Sequence, residues 1–359
     1  MTRWGSMLAP ETLDEIAAAV KAANRYGEPL RIFGSDSKAF YGRRVVGAAP
    51  LSLRNLSGVI AYEPTELVVT VRAGTRISDL EALLASEGQM LACEPPHLGD
   101  DATIGGMIGT GLAGPRRPYA GGVRDSILGI RCIVAGGSLL RFGGQVMKNV
   151  AGFDLSRLMV GALGTLGIIV EASLKVLPRP RAEISLRQEV EAARAIELMN
   201  AWACKPLPLS AAAYDGVAVY ARLTGSAASV ASACAEIGGQ EANSRFWEDL
   251  REQRLPYFLD ERPVWRLSAP PAAAPLALAG EWFFDWGGAH RWLKSEADPE
   301  DIKHAALGCG GHAVLFRGGD QKGEPFPRPP PALLSVYQRI KKAFDPNGIL
   351  NPGRLLPEL

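Results

Sequence analysis

The sequence has few cysteines and no closely spaced pair of them. The five are Cys93, Cys132, Cys204, Cys234 and Cys309, an odd number without C-x-x-C spacing. This distribution argues against a zinc ribbon, a cysteine-ligated iron–sulfur cluster and a disulfide framework. If electrons pass through this protein, we expect an organic cofactor to carry them.

Net charge and long apolar runs are also lacking. Thirty-nine Lys and Arg residues oppose 38 Asp and Glu residues, so the net charge of +1 creates no field that would attract nucleic acid. No run reaches the roughly 18 apolar residues of a membrane span. The first ten residues are too short and mixed for a signal peptide. We therefore expect a cytoplasmic protein with no transmembrane segment and no nucleic-acid partner.

The length and the proline distribution predict more than one domain. The 359 residues, 47% of them apolar, exceed the roughly 250–300 residues at which single cores stop growing. Prolines concentrate at 177–180, 269–271 and 324–331, where we expect joints. Helical and strand patterns mix without regular βαβ alternation, which indicates an α+β fold.

Local patterns predict individual elements. The turn at Gly136 and Gly137 indicates a β-hairpin over 127–142. Apolar residues at helical spacing predict helices, and β-branched runs predict strands. The predicted helices cover 10–26, 77–88, 190–202, 226–237, 245–254 and 332–344. The predicted strands cover 30–33, 67–72, 167–177 and 216–223.

Glycine is abundant, with 40 residues and a concentration between Gly99 and Gly167. The segment Gly109–Gly114 (GTGLAG) matches G-x-G-x-x-G. A nicotinamide dinucleotide fingerprint needs a preceding strand, a following helix and an acidic residue about 20 positions later. A glycine-broken segment precedes this match, Arg116-Arg117-Pro118 follows it, and position 134 is Val. We therefore reject the nicotinamide interpretation.

A glycine-rich turn can instead bind phosphate through converging backbone N–H groups, in an arrangement called a nest. Gly34–Ser37 follows a predicted strand and is one such turn. Thr103–Gly106, continuing to Gly114, would supply a second wall. Gly164–Gly167 opens another strand and could hold an adenine or ribose edge. Any one of these could be an ordinary tight turn, but their repetition favours a shared ligand site.

Motifs in the same order resemble the FAD-linked oxidase family of the vanillyl-alcohol-oxidase/cresol-methylhydroxylase type. Further motifs are similar to the E-subunit branch of the bacterial glycolate dehydrogenases (glycolate oxidases) within it. The family motifs are Ile32–Ser37, Ala102–Gly106, Gly161–Ile168 and Asp345–Gly353. The branch motifs are Cys93–His97, Gly111–Pro118, Arg141–Gly161, Asp285–Gly288 and Arg291–Lys294.

The resemblance implies an α+β architecture. Its parts would be a two-lobed FAD-binding domain of cresol-methylhydroxylase type over 1–180, a smaller α+β domain over 181–323, and a segment 324–359. This last segment would contain the proline-rich joint, a C-terminal helix returning to the flavin and a flavin-contacting tail. The loop in which many relatives carry a flavin-linked histidine has none here, so we expect noncovalent FAD.

The resemblance also carries a set of cofactor-binding positions. Asn351 would contact the isoalloxazine ring, and Lys148 could touch the flavin or a partner chain. The implied FAD-binding residues are Phe33, Gly34, Ser35, Asp36, Ser37, Ala102, Thr103, Ile104, Gly105, Gly106, Gly109, Gly111, Gly164, Gly167, Ile168 and Asn351.

The implied reaction is oxidation of glycolate, or another short 2-hydroxy acid, to glyoxylate or its equivalent with an acceptor other than NAD. It requires a cation for the carboxylate and a base for the hydroxyl proton. His97 is the candidate base and Arg116 the candidate cation. His312 follows two glycines as in related metal-dependent enzymes, but the partner ligands are missing, so we predict no metal.

The implied partners are a larger flavoprotein subunit and an iron–sulfur subunit of one complex. Through them the chain could attach to the inner face of the plasma membrane. The missing metal pattern suggests that the larger subunit oxidises the acid, while this chain relays electrons or supports assembly. Two alternatives stay open: a stand-alone FAD-dependent hydroxy-acid or alcohol oxidase, and a non-catalytic scaffold without flavin.

Overall fold

The computed structural model describes residues 7–144, 154–319 and 323–359. Its helices and strands mix without βαβ alternation, as the sequence predicts. The strands are β1 Leu30–Phe33, β2 Ala49–Ser52, β3 Val59–Glu63, β4 Val68–Arg72, β5 Gln89–Met90, β6 Ile127–Ile133, β7 Leu139–Gly143, β8 Ile168–Lys175, β9 Leu177–Pro178, β10 Ala182–Glu189, β11 Leu209–Tyr214, β12 Ala218–Gly225, β13 Gln240–Glu241, β14 Val264–Ser268, β15 Glu281–Asp285, β16 His290–Lys294 and β17 His312–Arg317. The helices are α1 Leu13–Tyr26, α2 Ile77–Ser86, α3 Ile104–Thr110, α4 Arg117–Ala120, α5 Val123–Ser126, α6 Leu155–Leu158, α7 Ala192–Ala203, α8 Ala227–Ile237, α9 Arg245–Arg251, α10 Pro299–Gly308 and α11 Pro331–Phe344, with 3₁₀ turns at Pro64–Glu66, Pro256–Phe258 and Trp286–Gly288.

An antiparallel five-stranded sheet organises the first half of the chain. Its strand order is β3-β4-β8-β6-β7, and β6 pairs with β7 in the predicted hairpin. Helix α2 packs Ile77, Leu80 and Leu84 into the core on one face of this sheet. Successive side chains of a strand point to opposite faces of a sheet. On β8, Ile168 and Val170 therefore point to the other face of this sheet and belong to a second core.

Helix α1 covers that second core. Thr12 caps its N-terminus by accepting a hydrogen bond from the Glu15 N–H, and Gly27 ends it in the left-handed region at φ +65°. The apolar positions that predicted this helix, Ile16 and Val20, are fully buried. The helix therefore begins three residues beyond the predicted Pro10, at Leu13, the residue that follows the capping Thr12.

A small parallel sheet of β1 and β2 lies beside α1. The C-terminal tail after α11 returns to it. The Leu30 N–H donates to the Ile349 carbonyl at 2.7 Å, and the Asn351 N–H donates to the Leu30 carbonyl at 3.0 Å. Residues near the end of the chain therefore lie beside the first strand.

A second sheet, of eight strands in the order β13-β10-β12-β11-β15-β16-β14-β17, is formed from residues between 182 and 317. Helices α7 and α8 share its first core, and α10 packs against the other end. The Trp286 indole N–H from the turn after β15 donates to the Gly114 carbonyl at 2.9 Å. This contact fixes the second sheet against the loop after α3.

Candidate functional site

A cleft of about 830 Å³ lies where β1 ends, bordered by α3, the start of β8 and the C-terminal tail. The lining residues are Arg31, Ile32, Phe33, Gly34, Ser35, Asp36, Ser37, Lys38, Leu53, Ala73, Thr103, Gly105, Gly106, Gly109, Thr110, Leu163, Gly164, Gly167, Ile169, Asn351 and Arg354. Three glycine-rich segments predicted from the sequence to share a ligand thus meet at one cleft.

The loop of residues 34–38 presents backbone donors to this cleft. Its residues lie outside regular structure and all line the cleft. Within the described residues, the backbone N–H groups of Gly34 through Lys38 form no hydrogen bond with another backbone group or a side chain. Asp36 has φ +66°, and such a left-handed residue makes neighbouring N–H groups converge in a nest. The loop therefore has the donor set that a diphosphate requires.

The segment Thr103–Gly106, predicted to supply a second glycine-rich wall, contributes Thr103, Gly105 and Gly106 to the cleft lining. It starts helix α3, and Thr103 is the N-cap residue. The N–H groups of Ile104 and Gly105 donate to the Thr75 and Ala73 carbonyls at 2.9 and 2.7 Å, and the Gly106 N–H donates to Thr103 Oγ1 at 3.2 Å. These three N–H groups are already hydrogen-bonded within the protein. The wall therefore lets a ligand approach the backbone closely but does not supply hydrogen bonds to a phosphate.

The glycines of the cleft are required for different reasons. A Cβ at Gly34 would lie 2.0 Å from Thr103 Oγ1, and one at Gly105 would lie 3.0 Å from Ala73 Cβ. Substitution at Gly34 would therefore disturb packing before it affected a ligand. A Cβ at Gly109 meets no atom within 4 Å. Gly109 lines the cleft, so its missing side chain leaves room for a ligand.

Asn351 joins the tail to the cleft. It is 3% exposed, and its Oδ1 accepts from the Ile32 N–H at 2.7 Å. Its Nδ2 donates to the Leu163 carbonyl at 2.7 Å and to the Ile32 carbonyl at 3.1 Å. Gly164, at φ +74°, leaves space beside this amide. Asn351 therefore borders the cleft, while its side chain holds β1 and the loop before β8 together; its contact with the isoalloxazine ring stays a prediction.

Three cationic side chains that the sequence alone did not identify line the cleft. Arg31 forms an ion pair with Asp36 at 2.6 Å, and Arg354 donates to the Tyr41 carbonyl at 2.9 Å. Lys38 Nζ donates to the His97 carbonyl at 2.8 Å. Burial lowers the pKa of Lys38 to about 8, with Glu252 partly opposing the shift. Among the described residues, no carboxylate lies within 4 Å of Lys38 Nζ, so this ammonium is available to an anionic ligand.

Four predicted positions lie away from the cleft lining. Ala102 and Ile104 are buried in the core beneath α3, and Gly111 ends α3 as its left-handed C-cap. Ile168 is fully buried against α1. Because side chains alternate along β8, Ile169 faces the cleft in its place.

The two predicted catalytic side chains also lie away from the cleft lining, contrary to expectation. His97 Nε2 is 3.1 Å from Glu81 Oε2, although not in hydrogen-bonding orientation. The His97 N–H donates to the Glu252 carboxylate. Arg116 is 7% exposed and donates to Glu94 at 2.9 Å. Neither side chain is free to bind a substrate at this cleft.

Glu94 connects the two halves of the chain. It also accepts from Arg222 of β12 at 2.9 Å. Burial would raise the pKa of Glu94, but Arg222 and Arg116 outweigh that effect and hold it below its usual value. Arg116 therefore neutralises a buried carboxylate between the sheets.

Lys148 lies outside the described residues. In the part of the chain that the structure describes, no group of three His, Cys, Asp or Glu side chains is arranged to hold a metal ion. The described helices also include none that is both long and apolar enough to cross a membrane.

The donors of the cleft fit a dinucleotide cofactor. Loop 34–38 and Lys38 supply N–H groups and positive charge for a diphosphate. Gly105, Gly106 and Gly109 leave a wall without side chains, against which a flat ring system can lie closely.

Comparisons with known proteins agree with this fit. Residues 6–143 match the family described as "FAD binding domain", and residues 329–355 match "FAD linked oxidases, C-terminal domain". Two solved structures of alkyldihydroxyacetonephosphate synthase share the fold, with TM-scores of 0.66 and 0.68 at 17% and 16% identity; each match covers 96% of this chain and 76% of theirs. The predicted α+β fold of this oxidase type is thus confirmed.

Among curated proteins, the chain is 50% identical over 331 residues to the glycolate oxidase subunit GlcE of Escherichia coli, covering 92% of this chain and 93% of that one. It is 30% identical to the glycolate oxidase subunit GlcD of Bacillus subtilis, over 52% of this chain and 41% of that one. A D-lactate dehydrogenase of Anaerostipes hadrus is 32% identical over 48% of this chain and 36% of its own length. The chain belongs to the family of the glycolate oxidase subunit GlcE, within the FAD-linked oxidases.

Proposed function

We propose that this chain is the noncovalent FAD-binding subunit of a glycolate dehydrogenase complex. The complex oxidises glycolate, and other short 2-hydroxy acids, to the 2-oxo acid with an acceptor other than NAD. The observation that carries this proposal is a cleft with free backbone donors in a chain 50% identical to a glycolate oxidase subunit over 92% of its length. When bound, FAD accepts the hydride, and the protein binds and orients the cofactor and sets its electrostatic environment.

The chain's own residues support a division of labour within the complex. His97 lies beside Glu81 and Arg116 is paired with Glu94, both outside the cleft lining, which disfavours their use as base and carboxylate-binding cation. We therefore assign substrate oxidation to a larger flavoprotein subunit, and electron relay or assembly support to this chain. An iron–sulfur subunit would be the further partner, and association with the inner membrane face would occur through these subunits.

The domain division is part of the proposal. Residues 1–180 would form the FAD-binding domain, because the five-stranded sheet and the cleft loops through β8 lie there. Residues 181–323 would form the smaller domain, which contains the eight-stranded sheet. Residues 324–359 would return α11 and Asn351 to the flavin.

Within the cleft, we assign the diphosphate to loop 34–38 and Lys38, and the flat rings to the glycine wall of α3. Lys38 provides the most direct test of this assignment. Its ammonium is fixed beside the loop by the His97 carbonyl and Ser37 Oγ at 2.8 and 3.4 Å. His97, predicted as a base, would thus contribute through its main chain.

Lys38→Met is expected to weaken FAD binding by about tenfold and to remove its pH dependence. The charged ammonium attracts the diphosphate, so wild-type affinity should fall as pH rises through about 8, by at most tenfold per unit. The FAD dissociation constant, measured from about pH 7 to about pH 9.5, tests this. A variant whose affinity falls with pH as the wild type does would contradict the assignment.

The stability of the FAD-free chain should change in the opposite sense. Lys38 has a folded-state pKa of about 8 against an ordinary value of 10.5. The unfolded chain therefore binds more protons between these values, and the Lys38 contribution to stability rises with pH across this window. Thermal melts of wild type and Lys38→Met across that range separate this effect from cofactor binding.

The complex itself provides the test of function. Purified chain should be yellow after saturation with FAD and should not oxidise glycolate alone, whereas its removal from the assembled complex should abolish glycolate-dependent dye reduction. Turnover of glycolate by the isolated chain would favour the stand-alone oxidase. A colourless chain in an active complex would favour the flavin-free scaffold.

A further inference from the structure

The peptide group between His97 and Leu98 lies between two opposite charges. Its carbonyl oxygen, from His97, accepts from Lys38 Nζ at 2.8 Å. Its N–H, from Leu98, donates to Glu252 Oε2 at 2.9 Å, and the preceding N–H of His97 donates to the same oxygen at 3.1 Å. The Glu252 carboxylate therefore reaches the Lys38 ammonium through one peptide group.

This arrangement strengthens the hold on the ammonium. Hydrogen bonds to charged groups are stronger than those between neutral groups, and hydrogen bonds arranged in a chain polarise one another. A carboxylate at the N–H end increases the negative charge on the carbonyl oxygen at the other end. Glu252 also opposes the effect of burial on Lys38, since its charge raises the pKa that burial lowers. Both effects favour a charged ammonium at the cleft.

The backbone at this peptide is held in an unusual conformation. Leu98 has φ +51°, in the left-handed region that a leucine rarely adopts. Such a residue persists where its surroundings enforce it. Here the Leu98 side chain packs against the hydrophobic cluster that includes Leu250 of α9, while Glu252 accepts from both N–H groups. Gly99 follows, and a Cβ on it would lie 3.1 Å from Ser37 Cβ, so the turn packs directly against the cleft loop.

Glu252 belongs to the other half of the chain and is itself fixed there. It follows α9 directly, and its side chain is 8% exposed. The Arg251 Nε donates to Glu252 Oε1 at 2.7 Å, which orients the carboxylate with Oε2 toward the two peptide N–H groups. Glu252 is absent from the cleft lining. Its effect on a ligand there therefore passes through the turn at residues 97–99 and Lys38.

We propose that Glu252 is a positioning residue for FAD, which holds the Lys38 ammonium toward the diphosphate through the His97–Leu98 peptide. The His97 carbonyl and Ser37 Oγ use two of the three ammonium N–H groups, and the third is left for a phosphate oxygen. The proposed smaller domain thereby contributes to cofactor binding, although none of its described residues lines the cleft. The inference rests on the proposed function, because it takes FAD as the occupant of the cleft.

Glu252→Gln is expected to raise the FAD dissociation constant of the purified full-length chain about fivefold at about pH 7. Glutamine has a similar shape and can still accept from both N–H groups, so the substitution removes the charge and keeps the turn. Glu248→Gln is the matched control. Glu248 is exposed on the same helix, and its carboxylate accepts from Arg254 at 2.6 Å rather than from the turn. This control should bind FAD within about twofold of the wild type.

The Lys38→Met background separates positioning from a structural effect. Because the carboxylate acts through the ammonium, Glu252→Gln should change the dissociation constant less than about twofold when Lys38 is already methionine. A general disturbance of the cleft would weaken FAD binding by the same factor in both backgrounds, and that result would overturn the proposal. Circular dichroism of each FAD-free variant verifies that it is folded.

The pH profile of FAD binding provides a second measurement. Glu252→Gln removes the charge that raises the Lys38 pKa, so FAD affinity should begin to fall at a lower pH than in the wild type, whose Lys38 has a pKa of about 8. An unshifted profile would refute the role of the carboxylate. The variant leaves the other charged or titratable side chains around the two groups unchanged, namely Arg31, Asp36, Glu81, His97, Arg251 and Arg354.

Failure of this inference and failure of the proposed function have different signatures. A wild-type chain that does not bind FAD would remove the proposed function, and this inference with it. A wild-type chain that binds FAD, with Glu252→Gln binding it equally well, would remove only the role of Glu252.

Discussion

Gly109→Leu is expected to abolish FAD retention while leaving the fold intact. Gly109 lies in helix α3 with no atom within 4 Å of its missing Cβ, and it lines the cleft. A leucine there would occupy space assigned to the cofactor. Helix propensity favours leucine over glycine by up to about 1 kcal/mol, so the FAD-free protein should not lose stability. The ratio of flavin to protein absorbance after gel filtration should fall at least about tenfold.

Gly308→Leu is the matched control for this variant. Gly308 also lies in a helix, α10, with open space beside it, and it is absent from the cleft lining. It should retain FAD as the wild type does. Full FAD retention by Gly109→Leu would show that the cofactor does not lie against α3, and the cleft assignment would then be wrong.

Among the substitutions proposed, Lys341→Met is expected to lower the free energy of unfolding most, by about 3–5 kcal/mol. Lys341 Nζ donates to Asp345 Oδ2 at 2.7 Å, to the Thr165 carbonyl at 2.7 Å and to the Leu350 carbonyl at 2.9 Å. Asp345 is 1% exposed. Burial lowers the pKa of Lys341, although Asp345 opposes the shift. Removing the ammonium leaves the buried carboxylate without its counterion, with only the Ile349 and Leu350 N–H groups still donating to it, and takes one donor from each of the two carbonyls. Urea unfolding of the FAD-free chain measures the loss.

The neighbouring Lys342→Met is the control, because Lys342 is exposed on α11 and should change stability by less than about 0.5 kcal/mol. Lys341→Met should also reduce FAD retention, since the tail that it anchors carries Asn351. Equal unfolding free energies for the two variants would contradict the role of this buried pair.

The sequence predicts the elements of the cleft better than their interactions. Gly34–Ser37 after β1 and Gly164–Gly167 before β8 were identified because glycine clusters mark unusual backbone. The start of α3 was interpreted as a turn, since two glycines suggest a broken segment. In the structure the Thr103 cap and the Ala73 and Thr75 carbonyls stabilise it as a helix. Contacts to residues about 30 positions away were not visible in a local pattern.

The differences between the predicted side chains and those that line the cleft also arise from contacts between distant parts of the chain. Lys38 and Arg354 reach the cleft through the return of the tail, and no motif marks them. His97 and Arg116 were chosen for their chemistry and position, but the His97 side chain lies beside Glu81 and Arg116 is paired with Glu94, both away from the cleft lining. The prediction named Ile168, whereas its neighbour Ile169 lines the cleft. A strand pattern without a known partner does not say which face points to the ligand.

The hydrogen bonds between Ile32 and Asn351 span 319 positions. A ribosome releases the first strand long before the segment that completes its binding site, because synthesis proceeds from the N-terminus. Nascent chains that stop short of Asn351 would lack this closure and should not load flavin. Cofactor uptake is thereby coupled to translation through at least residue 351, and flavin content can report how much of a recombinant preparation was translated that far.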